Sequence, residues 1–346
     1  MKKIFLMAAA AVLAASCNNN GYVIKGTIEG LQDSVVYLMN ADSQAIDSTT
    51  VSNGSFTFKG QIDTPQMVYL LTTRPIMSLF LENGKIQING SITDITRPMT
   101  ISGTAANEAL SEYDQFNREM FMKMQQNQQD SAAIDSLYEA MNEGVRQRLD
   151  QNLDNLFGLN LYATQLFYYD SADEILAQIA KFPVEMQNTP ELTDLKEFAA
   201  KKQMVEPGRQ YIDIIQNDAD GNPIALSSIV GDGKYVLVDF WASWCNPCMR
   251  EVPYMLQAYA KYHDKGFEIY GVSLDKMADS WKSAIENHKM DWIHVCNFEA
   301  FDSPDAVNYA VRSIPANFLI GPDGTIVATG LRESDLENKL AELLGE

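Results

Sequence analysis

Apolar and polar residues alternate along short stretches of the chain from residue 22 to about residue 103. Alternation at every second position is typical of strands with one buried face. Asn-Gly pairs at residues 53–54 and 83–84 are turn signals. Short strands joined by turns at this spacing predict a small β-sandwich or barrel, and we find no catalytic constellation in it. The stretches with this pattern are residues 22–28, 34–39, 55–59, 80–82 and 85–89.

The pattern becomes helical between about residues 105 and 205, where Gln, Glu, Met, Ala and Leu are frequent. These residues favour helices. Leu110, Tyr113, Phe116 and Met120 recur at spacings of three and four residues, which predicts one buried helix face. The Met-rich stretch at residues 120–129 has two interpretations, a soft-metal site or core methionines, and helical spacing favours the core.

Strands and helices alternate after Pro207 and Gly208, which break the helical pattern. Residues 234–241 are a nearly continuous apolar run, typical of a strand buried on both faces. Alternating strands and helices followed by a hairpin predict a mixed sheet covered on both faces. The expected strands are residues 211–215, 234–241, 267–273, 292–296, 317–320 and 325–328, and the expected helices are residues 246–263, 280–288, 306–311 and 333–344.

Composition and charge narrow the classes of function. The chain has 346 residues, 46% of them hydrophobic, and a formal net charge of −20. These values indicate a folded multidomain protein. Nucleic acids and anionic membrane surfaces require clusters of Lys and Arg, so we expect no nucleic-acid partner. The patterns above divide the chain into a β-rich domain at residues 18–105, a helical region at 106–206 and an α/β domain at 207–346.

The N-terminus has the layout of a secretory signal peptide. A basic start is followed by an apolar stretch at residues 4–15 that is too short to span a bilayer. The segment LAASC, which ends at Cys17, resembles the lipobox of bacterial lipoproteins, although Ala14 stands where Leu is favoured. In that family the cysteine is lipidated. We therefore expect a signal peptide at residues 1–17 and a lipid anchor on Cys17, with an ordinary cleaved signal as the alternative.

The four cysteines are too sparse and uneven to form a disulfide framework. Cys245 is expected at the start of a helix, where unpaired N–H groups and the helix dipole stabilise a thiolate and lower its pKa. Cys248 lies three residues later on the same helix face, so the two sulfurs can close a small disulfide ring. Pro247 between them is favoured in a first helical turn. We expect Cys245 to be the exposed nucleophile and Cys248 the resolving thiol.

Two other interpretations of this cysteine pair are a structural zinc site and a purely structural disulfide. A zinc site needs two more ligands at suitable spacing, and no second Cys-x-x-Cys or matching His pair is present. No metal is assigned. Cys296, in an expected strand, is predicted to be a buried, inert thiol.

The segment VDFWASWCNPC at residues 238–248 resembles the thioredoxin active site. Residues 207–346 resemble extracytoplasmic thioredoxin-like reductases of the cytochrome-maturation type, and the β-rich part resembles a domain often fused to such lipoproteins. The resemblance implies a thioredoxin-like fold and a periplasm-facing thiol–disulfide oxidoreductase that reduces disulfide-bearing protein substrates. No Gly-rich nucleotide loop is present, so we expect no cofactor and a thiol electron donor in the membrane.

The resemblance implies roles for two carboxylates. Asp239 lies at the end of the buried strand, where a carboxylate is costly without a partner or a role. The matching Asp of thioredoxins accepts the proton of the resolving cysteine; a solvent-facing carboxylate is the alternative. Glu251 matches an acidic residue of cytochrome-maturation reductases, with an exposed helix carboxylate as the alternative. Acids that face the thiols raise thiol pKa values and favour the reduced form.

Pro315 matches the cis-proline that thioredoxin-like folds place opposite the cysteine pair; a trans proline in an edge strand is the alternative. A cis Ile314–Pro315 bond would present the backbone of Ile314 to an extended substrate segment. Family members usually carry Thr after this proline, whereas Ala316 and Asn317 follow here, which leaves the substrate preference open. Trp244 is expected to form an apolar lip for a docking partner.

Two other functions compete with disulfide exchange. A thiol peroxidase of the peroxiredoxin type shares this architecture but carries Thr or Ser three residues before its reactive Cys, where this chain has Ala242. The other competitor is a cell-envelope binding module in which the N-terminal half does the main work and the thiols are secondary.

Overall fold

The computed structural model describes residues 21–231 and 233–345, so the predicted signal peptide and its Cys17 lie outside the described residues. The described residues divide into two compact units, one of residues 21–167 and 178–193 and the other of residues 168–177, 194–231 and 233–345. Within the described part of the chain, no helix combines the length and apolar character needed to cross a membrane. The domain boundaries expected from the sequence stay predictions.

The first unit begins with the strands β1 Tyr22–Glu29, β2 Val35–Met39, β3 Ala45–Thr50, β4 Ser55–Gly60, β5 Gln66–Leu71, β6 Pro75–Leu81, β7 Gly84–Ser91 and β8 Thr100–Ser102. They form two four-stranded sheets, in the orders β4-β1-β7-β8 and β3-β2-β5-β6. Ile24 and Ile86 of one sheet and Val36 and Leu79 of the other belong to one buried core. Two sheets that share a core are a β-sandwich.

The helical region contains α1 Ala105–Gln126, α2 Ser131–Asp150, α3 Leu156–Leu161, α4 Ala172–Lys181 and α5 Pro190–Gln203. Leu110, Tyr113 and Met120 are buried in α1, as their spacing predicted, and Phe116 is half-buried. Met122 is 53% exposed, so the methionines of this stretch face different surroundings and Met120 is a core residue.

The α/β part of the second unit consists of β9 Ile215–Asn217, β10 Pro223–Ala225, β11 Tyr235–Trp241, α6 Asn246–Tyr262, β12 Phe267–Ser273, α7 Ala278–His288, β13 Ile293–Cys296, α8 Pro304–Asn308, β14 Ala316–Ile320, β15 Ile326–Thr329 and α9 Ser334–Leu344. Its mixed sheet has the order β13-β12-β11-β14-β15. β11 runs parallel to β12 and antiparallel to β14. Every residue of β12 is buried, so both faces of the sheet are covered, as the sequence predicted.

The strand expected at residues 211–215 is wrong. The Tyr309 hydroxyl donates to the carbonyl of Ile212 at 2.6 Å and accepts the N–H of Ile212 at 3.2 Å. The N–H of Tyr211 donates to the carbonyl of Gly324 at 2.9 Å. Because these single contacts satisfy the backbone, the segment forms no ladder, and strand β9 begins only at Ile215.

Candidate active site

The cysteine pair follows the central strand β11 through a turn that is fixed by Asp275. The carboxylate of Asp275, 1% exposed, accepts the N–H of Ser243 at 2.9 Å and its hydroxyl at 2.6 Å. The N–H of Leu274 donates to the carbonyl of Trp241 at 2.8 Å. Sequence reasoning missed Asp275; the available signal was an acidic residue two positions after the end of a mostly apolar strand. These contacts determine where the chain enters α6.

Cys245 caps the N-terminus of α6. Its sulfur accepts the backbone N–H of Cys248 at 3.1 Å, and Pro247 lies in the first turn. The two cysteines form a disulfide with their Cα atoms 5.2 Å apart. The predicted helix-start position and ring closure are confirmed. A thiolate at the cap position meets the same N–H group and the positive end of the helix dipole.

The expectation that Cys245 is exposed is wrong for the disulfide form. Cys245 and Cys248 are each 4% exposed. The sulfur of Cys245 is bonded to Cys248 and faces the backbone N–H of the helix, so little of its surface faces solvent.

Asp239 lies within β11 and is 6% exposed, which excludes the solvent-facing alternative. Burial raises the pKa of Asp239 to about 7, the positive charge of Arg332 opposes this rise, and the negative charge of Glu251 adds to it. A carboxyl group in this range exchanges protons at near-neutral pH. The structure thus places a carboxyl group whose pKa is near neutral in the strand that leads to the cysteines.

Glu251 follows Cys248 by three residues in α6 and is half-buried. Its carboxylate accepts the backbone N–H of Glu333, the residue before α9, at 2.7 Å. Its charge also raises the pKa of Asp239. The structure therefore places Glu251 within electrostatic reach of the buried carboxyl, and the freely exposed alternative does not describe it.

The loop between β15 and α9 is a part of the site that the sequence did not mark. The Asn317 side chain donates to the carbonyl of Leu331 at 2.8 Å and accepts the N–H of Leu331 at 2.9 Å. The next residue, Arg332, donates from its guanidinium to the carbonyl of Pro315. A single Arg in a loop belongs to no recognisable sequence motif, so only the folded chain reveals its position next to Pro315.

The Ile314–Pro315 peptide bond is cis, as expected. Both residues are half-buried. Trp244 is 55% exposed, and its ring centroid lies 6.3 Å from that of Phe301, which is compatible with an apolar lip. The assignment of Trp244, Ile314 and Pro315 to substrate binding stays a prediction.

Cys296 is a free thiol on β13 and is 2% exposed, in agreement with the predicted burial. Burial raises the pKa of this thiol, and its sulfur donates to the carbonyl of Asp275 at 3.6 Å.

Within residues 21–231 and 233–345, no group of three or more His, Cys, Asp or Glu side chains is arranged to hold a metal ion.

Two family models match separate parts of the chain. Residues 207–329 match the AhpC/TSA family, and residues 22–110 match a domain of unknown function, DUF4369. The fold class expected from the sequence, a β-rich N-terminal domain, helices and a thioredoxin-like α/β domain, is confirmed.

Curated relatives and solved structures match a similar share of the chain. The thiol–disulfide oxidoreductase ResA of Bacillus cereus is 30% identical over 142 residues, which cover 40% of this chain and 78% of that protein. ResA of Oceanobacillus iheyensis is 35% identical over 114 residues, 32% of this chain and 56% of that protein. The thioredoxin domain of a thiol–disulfide oxidoreductase from Bacteroides vulgatus is 38% identical, with a TM-score of 0.38, and the match covers 40% of this chain and 97% of that domain.

Proposed function

The chain belongs to the family of thiol–disulfide oxidoreductases that includes ResA, and we propose that it reduces protein disulfides through Cys245 and Cys248. The observation that supports this most is the disulfide at the N-terminus of α6, directly after the strand that carries the buried Asp239. A redox-active pair, a helix end that stabilises a thiolate and a carboxyl that titrates near neutral pH are the groups that exchange requires.

The proposed reaction has two steps. In the reduced protein the Cys245 thiolate attacks a substrate disulfide; a mixed disulfide forms, the substrate S–S bond breaks, and one substrate sulfur leaves and takes a proton from water. The Cys248 thiol then gives its proton to Asp239 and attacks the sulfur of Cys245. The second substrate thiolate leaves, and the Cys245–Cys248 disulfide forms. Two electrons pass from the protein dithiol to the substrate.

The reducing direction is supported by the charges around the pair. Asp239 and Glu251 are both acidic, and the two carboxyl groups are close enough to interact electrostatically. Negative charge beside the sulfurs disfavours thiolates, so it stabilises the dithiol over the disulfide. A protein of this kind donates electrons to substrates.

Substrate docking is assigned to Trp244, Ile314 and Pro315. An extended segment that carries the substrate disulfide would pair with the backbone of Ile314, and the exposed ring of Trp244 would cover its apolar side chains. The low exposure of the Cys245–Cys248 disulfide fits this assignment, because a protein partner must dock closely beside it to reach a sulfur.

The proposed location is the periplasmic side of the cell envelope, with lipidated Cys17 as the anchor. A membrane thiol protein would return the disulfide to the dithiol, and cytochrome c maturation is the proposed process. Cys17→Ser is expected to move the protein from the membrane fraction of cells to the soluble fraction. Membrane association that survives this substitution would contradict the anchor.

Mixed-disulfide trapping tests the exchange function. Cys248→Ser leaves Cys245 able to attack but removes the thiol that releases the substrate, so partners should stay attached and be seen on non-reducing gels. The control is the double variant Cys245→Ser, Cys248→Ser, which should trap nothing. Purified wild-type protein should reduce the disulfides of insulin.

Two results would replace this proposal. No insulin reduction together with rapid turnover of hydrogen peroxide would assign the thiol peroxidase function. Neither reduction nor peroxide turnover, with no trapped partner for Cys248→Ser, would leave the binding module with secondary redox function.

A further inference from the structure

The loop of residues 331–333 is held by hydrogen bonds to the cis-proline segment, to β14 and to α6. Each of its three residues makes a contact with a different element, and two of these partners, β14 and α6, also carry or flank predicted site residues. The loop therefore links the cis-proline segment to the helix that bears the cysteines. The contacts are Leu331 with Asn317, Arg332 with Pro315, and Glu333 with Glu251.

Strand register places this loop beside Asp239. Asn317 of β14 stands directly opposite Asp239 of β11, and opposite residues of an antiparallel pair project to the same face of a sheet. The Asn317 side chain makes both of its hydrogen bonds to Leu331. The next residue, Arg332, consequently reaches the face from which the Asp239 carboxylate projects.

We propose that Arg332 is a positioning residue of the exchange site: its guanidinium holds the carbonyl of Pro315 and supplies the positive charge that keeps Asp239 available as a proton acceptor. The inference rests on the proposed role of Asp239 in the release of the substrate. It adds a residue that lies outside the cysteine motif and acts on the base and on the docking segment together.

The charges that face Asp239 give the direction of the effect. Arg332, in the loop, favours the ionised carboxylate, while Glu251, on α6, disfavours it, and burial disfavours it most. Without the guanidinium, burial and Glu251 act unopposed, and the pKa of Asp239 rises further above 7. A carboxyl that stays protonated at neutral pH cannot take the proton of Cys248, so release of the mixed disulfide slows.

The first test is the titration of Asp239 in the oxidised full-length protein, followed by ¹³C NMR of the aspartate side chains and assigned with Asp239→Asn. Arg332→Gln removes the charge, and we expect the midpoint to rise by about one pH unit, the size typical of a nearby opposite charge. Arg332→Lys keeps the charge and should restore the wild-type midpoint. Arg250→Gln removes the same charge from an exposed position of α6 and should leave the midpoint unchanged.

The second test is the pH profile of insulin reduction by pre-reduced protein in a single turnover. For Arg332→Gln the rising limb of the profile should move to higher pH by about one unit. Release of the mixed disulfide then becomes about tenfold slower on the acidic side of the midpoint. Arg332→Ala also removes the donor to Pro315 and should raise the insulin concentration at which the single-turnover rate is half-maximal.

The outcomes separate this inference from the proposed function. An unchanged Asp239 midpoint in Arg332→Gln overturns the inference, as does a rate that falls by one factor at every pH, which is the result of general structural damage. A shifted midpoint in a protein that does not reduce insulin supports the link between Arg332 and Asp239 and rejects the reductase function.

Discussion

Replacing Asp239 with Asn is expected to stabilise the oxidised protein at neutral pH and to change little at acidic pH. Burial raises the pKa of Asp239 from 3.8 to about 7 in the folded protein. Between these two values only the unfolded chain releases the proton, so the wild-type protein loses stability as the pH rises through this window. Below the window both states are protonated, and above it both are ionised. Asn does not titrate, so the variant escapes this loss.

The size of the stability difference follows from the shift in the pKa of Asp239. The folded and unfolded pKa values differ by about three units, and each unit corresponds to about 1.4 kcal/mol. The free energy of unfolding of Asp239→Asn, relative to wild type, should therefore grow by about 4 kcal/mol as the pH rises through the window. Most substitutions destabilise proteins, so a gain of even half this size is a clear result.

Tryptophan fluorescence is a suitable assay, because all four tryptophans of the chain lie between residues 241 and 292 and report on the α/β domain. Urea unfolding of the oxidised wild type and variant across the window gives the difference at each pH. Asp218→Asn is the matched control. Hydrogen bonds from the backbone and side chain of Asn222 lower the pKa of Asp218, so the stability gained from its ionisation is lost only below the window. A constant difference between Asp239→Asn and wild type across the window would falsify the reasoning.

Three further predictions concern the surroundings of the cysteines. Trp244→Ala should raise KM for insulin and leave the reduction of a small aromatic disulfide unchanged, because only a protein partner covers the exposed ring; steady-state kinetics with both substrates decides this. In the native reduced protein iodoacetamide should label Cys245, because the helix N-terminus stabilises its thiolate, and should spare Cys296, whose pKa burial raises, until urea unfolds the domain; mass spectrometry can show this. Asp275→Ala leaves the buried donors of Ser243 unpaired, and urea unfolding should show a loss of about 1–3 kcal/mol.

Hydrophobic patterning predicted the fold best where strands are buried on both faces. The strand expected at residues 267–273 has the same bounds as β12, because every residue in it is buried. β3 was missed because it is exposed or half-exposed throughout, and an exposed strand carries no apolar alternation. Residues 211–215 show the opposite error: Ile214 is buried in the core, but the backbone of Ile212 bonds to the Tyr309 hydroxyl and not to a neighbouring strand.

The site divides in the same way into local and long-range parts. Cys245, Cys248 and Asp239 were predicted because the motif is continuous in sequence and implies a strand followed by a helix start. Arg332 was not predicted, because its place beside Asp239 depends on the register between β11 and β14, which no local pattern specifies. The burial of Cys245 was missed because the exposure of a sulfur depends on whether it is bonded to its neighbour.

The burial of Asp239 is unfavourable for folding and, in the proposed mechanism, useful for exchange, and the loop at Arg332 is proposed to determine how useful. The pKa of an exposed carboxyl lies far below that of a thiol. A base becomes about tenfold weaker as a proton acceptor for each pH unit by which its pKa lies below that of the donor. Burial closes much of the gap by raising the pKa of Asp239 to about 7. Burial and Glu251 without Arg332 would carry the pKa past neutral and leave the base protonated. The opposing charges of Arg332 and Glu251 therefore keep the pKa of Asp239 between two unfavourable ranges. In the lower range the carboxylate is too weak a base, and in the upper range it is already protonated.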